Sequence, residues 1–149
     1  MTYDAPNPCL LVIEDNPADV QLLQFTLLDA GLQCEIVTIS DGQQALAWVA
    51  SHEEADTPGV KPQLLIVDLN LPKHDGIEIL EAMQHNPALA VLPVLVLSSS
   101  PSPRDAARVT AFPNTRYMTK PSDLDGYAEL ATVLRQMLDA QNAKTAPCS

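Results

Sequence analysis

The chain has 149 residues, enough for one domain with a sizeable core, and its low aromatic content of 4% points to an aliphatic one. Eight basic and 19 acidic side chains leave a formal net charge of −11. Direct nucleic-acid binding runs on Lys and Arg neutralising phosphates, so this balance argues against it.

No basic-then-apolar leader precedes Pro8, and no apolar run approaches the length of a membrane span. The expected setting is therefore the reducing cytoplasm, without membrane attachment. Cys9, Cys34 and Cys148 are odd in number and form no CxxC pair. Cys9 and Cys34 begin neighbouring strand-like runs, and buried structural thiols are expected there.

Residues 1–8 read as a short arm, kept irregular by Pro6 and Pro8. A first strand runs to Ile13 and into Glu14-Asp15. Asn16-Pro17 then opens a helix, with Val20, Leu23 and Leu27 at helical spacing and Gly31 as the stop. Glu35 to Ile39 is the second strand, and Asp41 caps a helix through Ala45, Leu46 and Val49. Glu53 to Pro62 is a polar excursion with two prolines and a glycine, hence a long loop.

Leu64-Leu65-Ile66-Val67 forms a third strand that ends on Asp68. Asp75-Gly76 restarts a helix with Ile77, Leu80 and Met83 inward, closed before Pro87. A fourth strand ends at Ser98, Pro101 and Pro103 delay the next helix to Arg104, and Pro113 ends it early. The fifth strand, Arg116 to Thr119, runs into Lys120-Pro121, and Asp123 caps a last helix to Asn142. Residues 143–149 read as a flexible tail. Five alternations of strand and helix argue for a single α/β domain over residues 9–142, its parallel sheet covered on both faces.

Ligands bind at the C-terminal ends of the strands in such sheets. Here four strand ends deliver Glu14-Asp15, Asp68, Ser98 and Lys120 to one edge. Close carboxylates raise each other's proton affinity unless a cation intervenes, and Mg2+ prefers a few hard oxygens plus waters and phosphate oxygens. Glu14, Asp15 and Asp68 would supply such a set. Asp68 has the most apolar approach and ends the expected central strand, which makes it the candidate nucleophile for an aspartyl phosphate. Lys120 would bind one phosphoryl oxygen as a point charge, and Ser98 would donate a hydrogen bond to another.

These motifs resemble the receiver domain of two-component response regulators. The resemblance runs from Cys9 to Asn142 and rests on Glu14-Asp15, on Asp68-Leu69-Asn70-Leu71-Pro72 with Asp75-Gly76, on Ser98, and on Lys120-Pro121. It implies a flavodoxin-like, doubly wound, five-stranded fold and transfer of a phosphoryl group from a histidine kinase to Asp68. It also implies Mg2+ held by Glu14, Asp15, Asp68 and the backbone carbonyl of Asn70. Tyr117 resembles the switch aromatic of receivers and would move inward as Ser98 is drawn to the phosphate. Lys120-Pro121 would carry a cis peptide, which proline makes accessible by cutting the trans preference to about 0.5–1 kcal/mol.

Within the family, the long loop before the third strand and Leu69 to Gly76 are most similar to stand-alone regulators that partner bacterial phytochromes. Three positions depart from the common pattern. Glu14 replaces the usual aspartate, Ser99 stands where a small alanine is usual, and Pro113 where many relatives have glycine.

A haloacid-dehalogenase-like phosphohydrolase also uses a strand-end aspartate, but needs a second acid two positions on, where this chain has Asn70. Its nucleophile also lies on the first strand. A nucleotide-binding module is disfavoured because neither a GxGxxG nor a P-loop follows any strand. A pseudo-receiver acting only as an interaction module is opposed by the complete acidic set. The expectation is a signalling domain that takes part only in its own phosphorylation and dephosphorylation.

Since the chain ends with the domain, its expected output is a changing surface on helix four, strand five and helix five. The same face is expected to form a homodimer. In the last helix Leu124, Tyr127, Ala128, Ala131, Leu134 and Leu138 would satisfy the sheet. Leu130, Val133 and Met137 would form an apolar shoulder beside them, extended by Val109 and Phe112.

Overall fold

The computed structural model describes residues 8–51, 62–71, 74–100 and 102–145, the side chains of 141–145 aside. Nearly all of the N-terminal arm and of the loop before the third strand lie outside the described residues. So do Pro72-Lys73, Pro101, Cys148 and the end of the tail.

Five strands, β1 (Cys9–Ile13), β2 (Glu35–Ile39), β3 (Leu64–Asp68), β4 (Val94–Ser98) and β5 (Thr115–Thr119), alternate with five helices. The helices are α1 (Pro17–Asp29), α2 (Gly42–Ser51), α3 (Gly76–Gln84), α4 (Pro103–Thr110) and α5 (Leu124–Thr145). All strand pairs are parallel, in the order β2-β1-β3-β4-β5, the flavodoxin-like arrangement. β3 is therefore central, as expected. Its five residues are all buried, as are those of β4, whereas the edge strands β2 and β5 are partly exposed.

Period-two alternation divides the apolar strand residues between two cores. Leu11, Ile13, Leu65, Val67, Val94 and Val96 pack with α2, α3 and α4. Their neighbours Leu10, Val12, Leu64, Ile66, Leu95 and Leu97 pack with α1 and α5. The interiors of β1, β3 and β4 are apolar on both faces, so polar side chains there are left for the strand ends. That is where the carboxylates, the hydroxyl and the ammonium lie.

The helix boundaries follow from local chemistry. Asn16 accepts from the Ala18 amide at 3.0 Å with Pro17 at the first helical position. Asp75 and Glu78 form a reciprocal capping box at α3. Gly31 takes φ 75°, and the Leu32 amide donates to Leu27 O at 2.9 Å, a left-handed terminus that closes α1. α4 is short, as Pro113 predicts, while α5 continues three residues past Asn142.

The apolar side of α5 differs from the expectation. Leu130 and Met137 are buried in the core beneath α5, at 1% and 5% exposure, and Val133 packs against it. Leu130, Leu134, Met137 and Leu138 recur at spacings of three and four, so they form one stripe, and the sheet takes all of it. Leu124, expected to face the sheet, stands 84% exposed at the first position of the helix. Val109 is wholly buried and Phe112 packs into the opposite core, so neither extends a patch. Among the described residues, the large exposed apolar side chains are instead Leu22, Phe25 and Leu28 on α1, with Val91 and Leu124.

Cys9 and Cys34 are free and only partly buried, less enclosed than the buried thiols expected. Burial pushes both thiols up in pKa, with Glu35 adding to the effect at Cys9 and Cys9 adding at Cys34. No described helix is long and apolar enough to cross a membrane.

Candidate functional site

Parallel pairing sets the strand tips side by side: Ile13 is opposite Val67, Asp68 opposite Leu97, and Ser98 opposite Thr119. The residues that follow each tip converge above the sheet edge. Asp68 is buried, and its Oδ1 accepts from the Asn70 amide at 2.9 Å. Its Oδ2 faces Lys120 Nζ at 3.3 Å. Glu14 is equally buried, with Oε1 accepting from the Asn16 amide at 3.1 Å and Oε2 2.8 Å from Lys120 Nζ. Asp15 is exposed beside them, and one oxygen from each of Glu14, Asp15 and Asp68 falls within a 4.8 Å cluster.

Gly76 fixes the loop after Asp68. A Cβ there would sit 3.0 Å from Leu69 Cα and 3.1 Å from the Asp68 carbonyl oxygen, so any larger residue would crowd the backbone where α3 begins against the end of β3. The Gly76 amide closes the turn by donating to Leu69 O at 3.1 Å.

Ser98 is fully buried at the tip of β4, where its Oγ accepts from the Ser100 amide at 3.2 Å and donates to Asn70 Oδ1 at 3.4 Å. Ser99 donates to the same amide oxygen at 3.4 Å. Two serine hydroxyls thus converge on the side chain of Asn70, where the sequence suggested only a role for its backbone carbonyl. Tyr117 is half-buried on β5, and its hydroxyl accepts from the amide of Ser102, the N-cap of α4, at 3.4 Å.

Lys120 is held by three carboxylates, and the third is Asp19, at 2.7 Å. Sequence reasoning missed Asp19. The available signal was its place in the first turn of the helix that opens directly after Glu14-Asp15. The peptide between Lys120 and Pro121 is trans, since no cis bond occurs among the described residues, and this corrects the cis expectation. With that backbone the lysine already reaches all three acids, and trans is the intrinsically favoured isomer.

Burial is the largest influence on Glu14 and, with the nearby Asp68 charge, lifts its pKa to about 7 against the opposing pull of Lys120. One ammonium divided among three acids cannot fully offset both. For Lys120, burial works downward, but the ion pairs to Asp19 and Glu14 and the Asp68 charge outweigh it and raise the pKa. The ammonium is therefore charged throughout the physiological range.

The Glu14 shift has a sign that can be tested. A raised carboxyl pKa means the folded chain binds the proton more tightly than the unfolded chain, whose glutamate titrates near 4.5. The contribution is therefore full below about 4.5 and is lost as pH rises through about 7. Metal-free protein should show its melting midpoint fall between pH 5 and pH 8 by more than a Glu14→Gln variant does. Millimolar Mg2+ should lift the wild-type midpoint most at the alkaline end, because a dication relieves the repulsion only in the folded chain. Parallel pH curves for wild type and Glu14→Gln would contradict the assignment.

Comparison with known proteins decides the family. The model of the response regulator receiver domain matches residues 10–138. The chain belongs to the response regulator receiver domain family. This receiver is 34% identical over 123 residues to response regulator Rcp1 of Synechocystis sp., covering 81% of this chain and 83% of that protein. Among solved structures it is similar to the phosphorylated cyanobacterial phytochrome response regulator RcpA. The TM-score is 0.76 at 31% identity, over 91% of this chain and 96% of RcpA. It is also similar to the Mn2+-bound form of Rcp1, with a TM-score of 0.71 at 31% identity, over 87% of this chain and 92% of that one. The chain is thus a signalling domain, and neither the phosphohydrolase nor the nucleotide-binding reading gains support. At the position where a phosphohydrolase needs its second acid, the receiver has the Asn70 amide, which accepts from Ser98 and Ser99.

Proposed function

We propose that Asp68 accepts a phosphoryl group from the phosphohistidine of a histidine kinase and that the chain signals through the resulting change of surface. The observation that carries this reading is the setting of Asp68: a buried carboxylate with one oxygen on the Asn70 amide and the other facing Lys120. An Asp68 oxygen forms the new O–P bond as the P–N bond to the kinase imidazole breaks, and the electron pair leaves with the imidazole. Lys120 offsets charge on the phosphoryl oxygens, and Ser98 turns from Asn70 to donate to one of them. Glu14, Asp15 and Asp68 fit Mg2+ by their hard oxygens and mutual closeness, with the Asn70 carbonyl completing the set. When bound, the ion would neutralise the clustered negative charge. The Mn2+-bound form of Rcp1 supports a divalent cation here.

Incubation with phosphoramidate and Mg2+ should add one phosphoryl group, read by intact mass. No mass gain would favour the pseudo-receiver reading instead. The kinase class proposed is a bacterial phytochrome, supported by the similarity to RcpA, itself a phytochrome response regulator. In a panel of histidine kinases a phytochrome kinase should phosphorylate the chain fastest, and preference for an unrelated kinase would remove that partner.

The Ser102–Tyr117 hydrogen bond supports a path from the site to α4. As Ser98 moves toward the phosphate, Tyr117 should turn inward and give up the Ser102 amide, loosening the N-terminus of α4. Tyr117 holding one rotamer with and without beryllofluoride would place the switch elsewhere.

Homodimerisation through α4, β5 and α5 is part of the same reading, on an altered basis. With Leu130 and Met137 in the core, the contacts available there include polar ones, such as exposed Arg116, which reaches Gln136 at 3.5 Å. Sedimentation of wild type against Arg116→Glu tests it. A monomeric wild type at tens of micromolar, or a dimeric variant, would remove this interface.

A further inference from the structure

Lys120 is shared among three counterions, Glu14, Asp19 and Asp68. Of its three contacts the shortest is to Asp19 at 2.7 Å and the longest is to Asp68, at 3.3 Å. Asp19 is fixed on a rigid element. It lies in the first turn of α1, whose start is set by the Asn16 cap and Pro17. The pair is also partly withdrawn from water, with side-chain exposures of 15% for Lys120 and 25% for Asp19. A metal drawing on Glu14 would leave Asp19 as the remaining firm partner of the ammonium among these three acids.

We propose that Asp19 is a positioning residue that holds Lys120 off the phosphoryl site, so that phosphoryl transfer has to break the Lys120–Asp19 ion pair. The inference rests on the assignment of Asp68 as acceptor. Two effects act in the same direction. Asp19 competes with the phosphoryl oxygens for one ammonium, and its negative charge repels the anionic donor. Removing the charge frees Lys120 and lowers the local negative potential, so both uptake of the phosphoryl group and affinity for a mimic rise. A residue that only supports the fold, or that aims Lys120 productively at Asp68, would on removal do the reverse.

The test measures phosphorylation by subsaturating phosphoramidate in Mg2+, and the half-saturating concentration of beryllofluoride, for wild type, Asp19→Asn and Asp19→Glu. Asp19→Asn should be phosphorylated about fivefold faster and bind beryllofluoride about fivefold more tightly, the size of one partly exposed ion pair. Asp19→Glu, which keeps the charge, should return both values to within about twofold of wild type. Should Asp19→Asn fail to fold, Asp19→Ser is read in its place, with the same expectation. An Asn variant that is unchanged or slower, or that binds beryllofluoride no more tightly, overturns the role of Asp19. A wild type that takes up no phosphoryl group overturns the acceptor assignment instead, so the two failures are separate.

Discussion

Asp68→Asn should take up no phosphoryl group under conditions that fully label the wild type. An amide has the shape of the carboxylate and can still accept from the Asn70 amide through its oxygen, so the loop should keep its geometry. Yet it is neutral, is not a nucleophile, and cannot form the acyl phosphate. The fold should not suffer. Removing one of three clustered acids relieves the repulsion on Glu14, and Lys120 retains Glu14 and Asp19 as partners. The metal-free variant should therefore melt no lower than wild type, and Mg2+ should stabilise it less, since one hard ligand is gone. Intact mass after phosphoramidate treatment reads the first effect and paired melts read the second. Full labelling of the Asn variant would move the acceptor to another side chain.

Lys120→Met should be the most destabilising single change at the site. The methionine approximates the lysine stem but leaves Glu14 and Asp68 buried without their shared cation. Removing one partner of a buried ion pair costs about 3–5 kcal/mol, and the partial exposure of Lys120 and Asp19 places this case near about 2–3 kcal/mol. For a chain of this size that is a fall of about 5–10 °C in the melting midpoint. Two conditions should return part of the loss. Acidification to pH 5 protonates Glu14, whose pKa already stands at about 7 beside the lysine, and millimolar Mg2+ replaces the missing charge. Phosphoryl uptake should still fall at least about tenfold, because the metal cannot reproduce the ammonium's place on the phosphoryl oxygens. An unchanged midpoint in metal-free buffer at pH 8 would show that the lysine does not neutralise these acids.

Much of this site was legible before any coordinates, and for a local reason. Four strand-like runs end on Glu14-Asp15, Asp68, Ser98 and Lys120, and in a parallel sheet the ends of such runs share one edge whatever the details of packing. The helix starts at Pro17 and Gly76 and the stop at Gly31 were likewise written in caps and breakers, which act within a few residues of themselves. Tertiary structure alone decided how side chains are shared. Asp19 reaches Lys120 from another element, Asn70 gathers the hydroxyls of Ser98 and Ser99, and Tyr117 meets the cap of α4, none of which a linear spacing encodes. The apolar side of α5 shows the same limit from the other direction. Sequence determined that the helix has a wide apolar arc, but the depth to which the sheet and α1 enclose that arc was set by packing, and it drew Leu130 and Met137 inside while leaving Leu124 out.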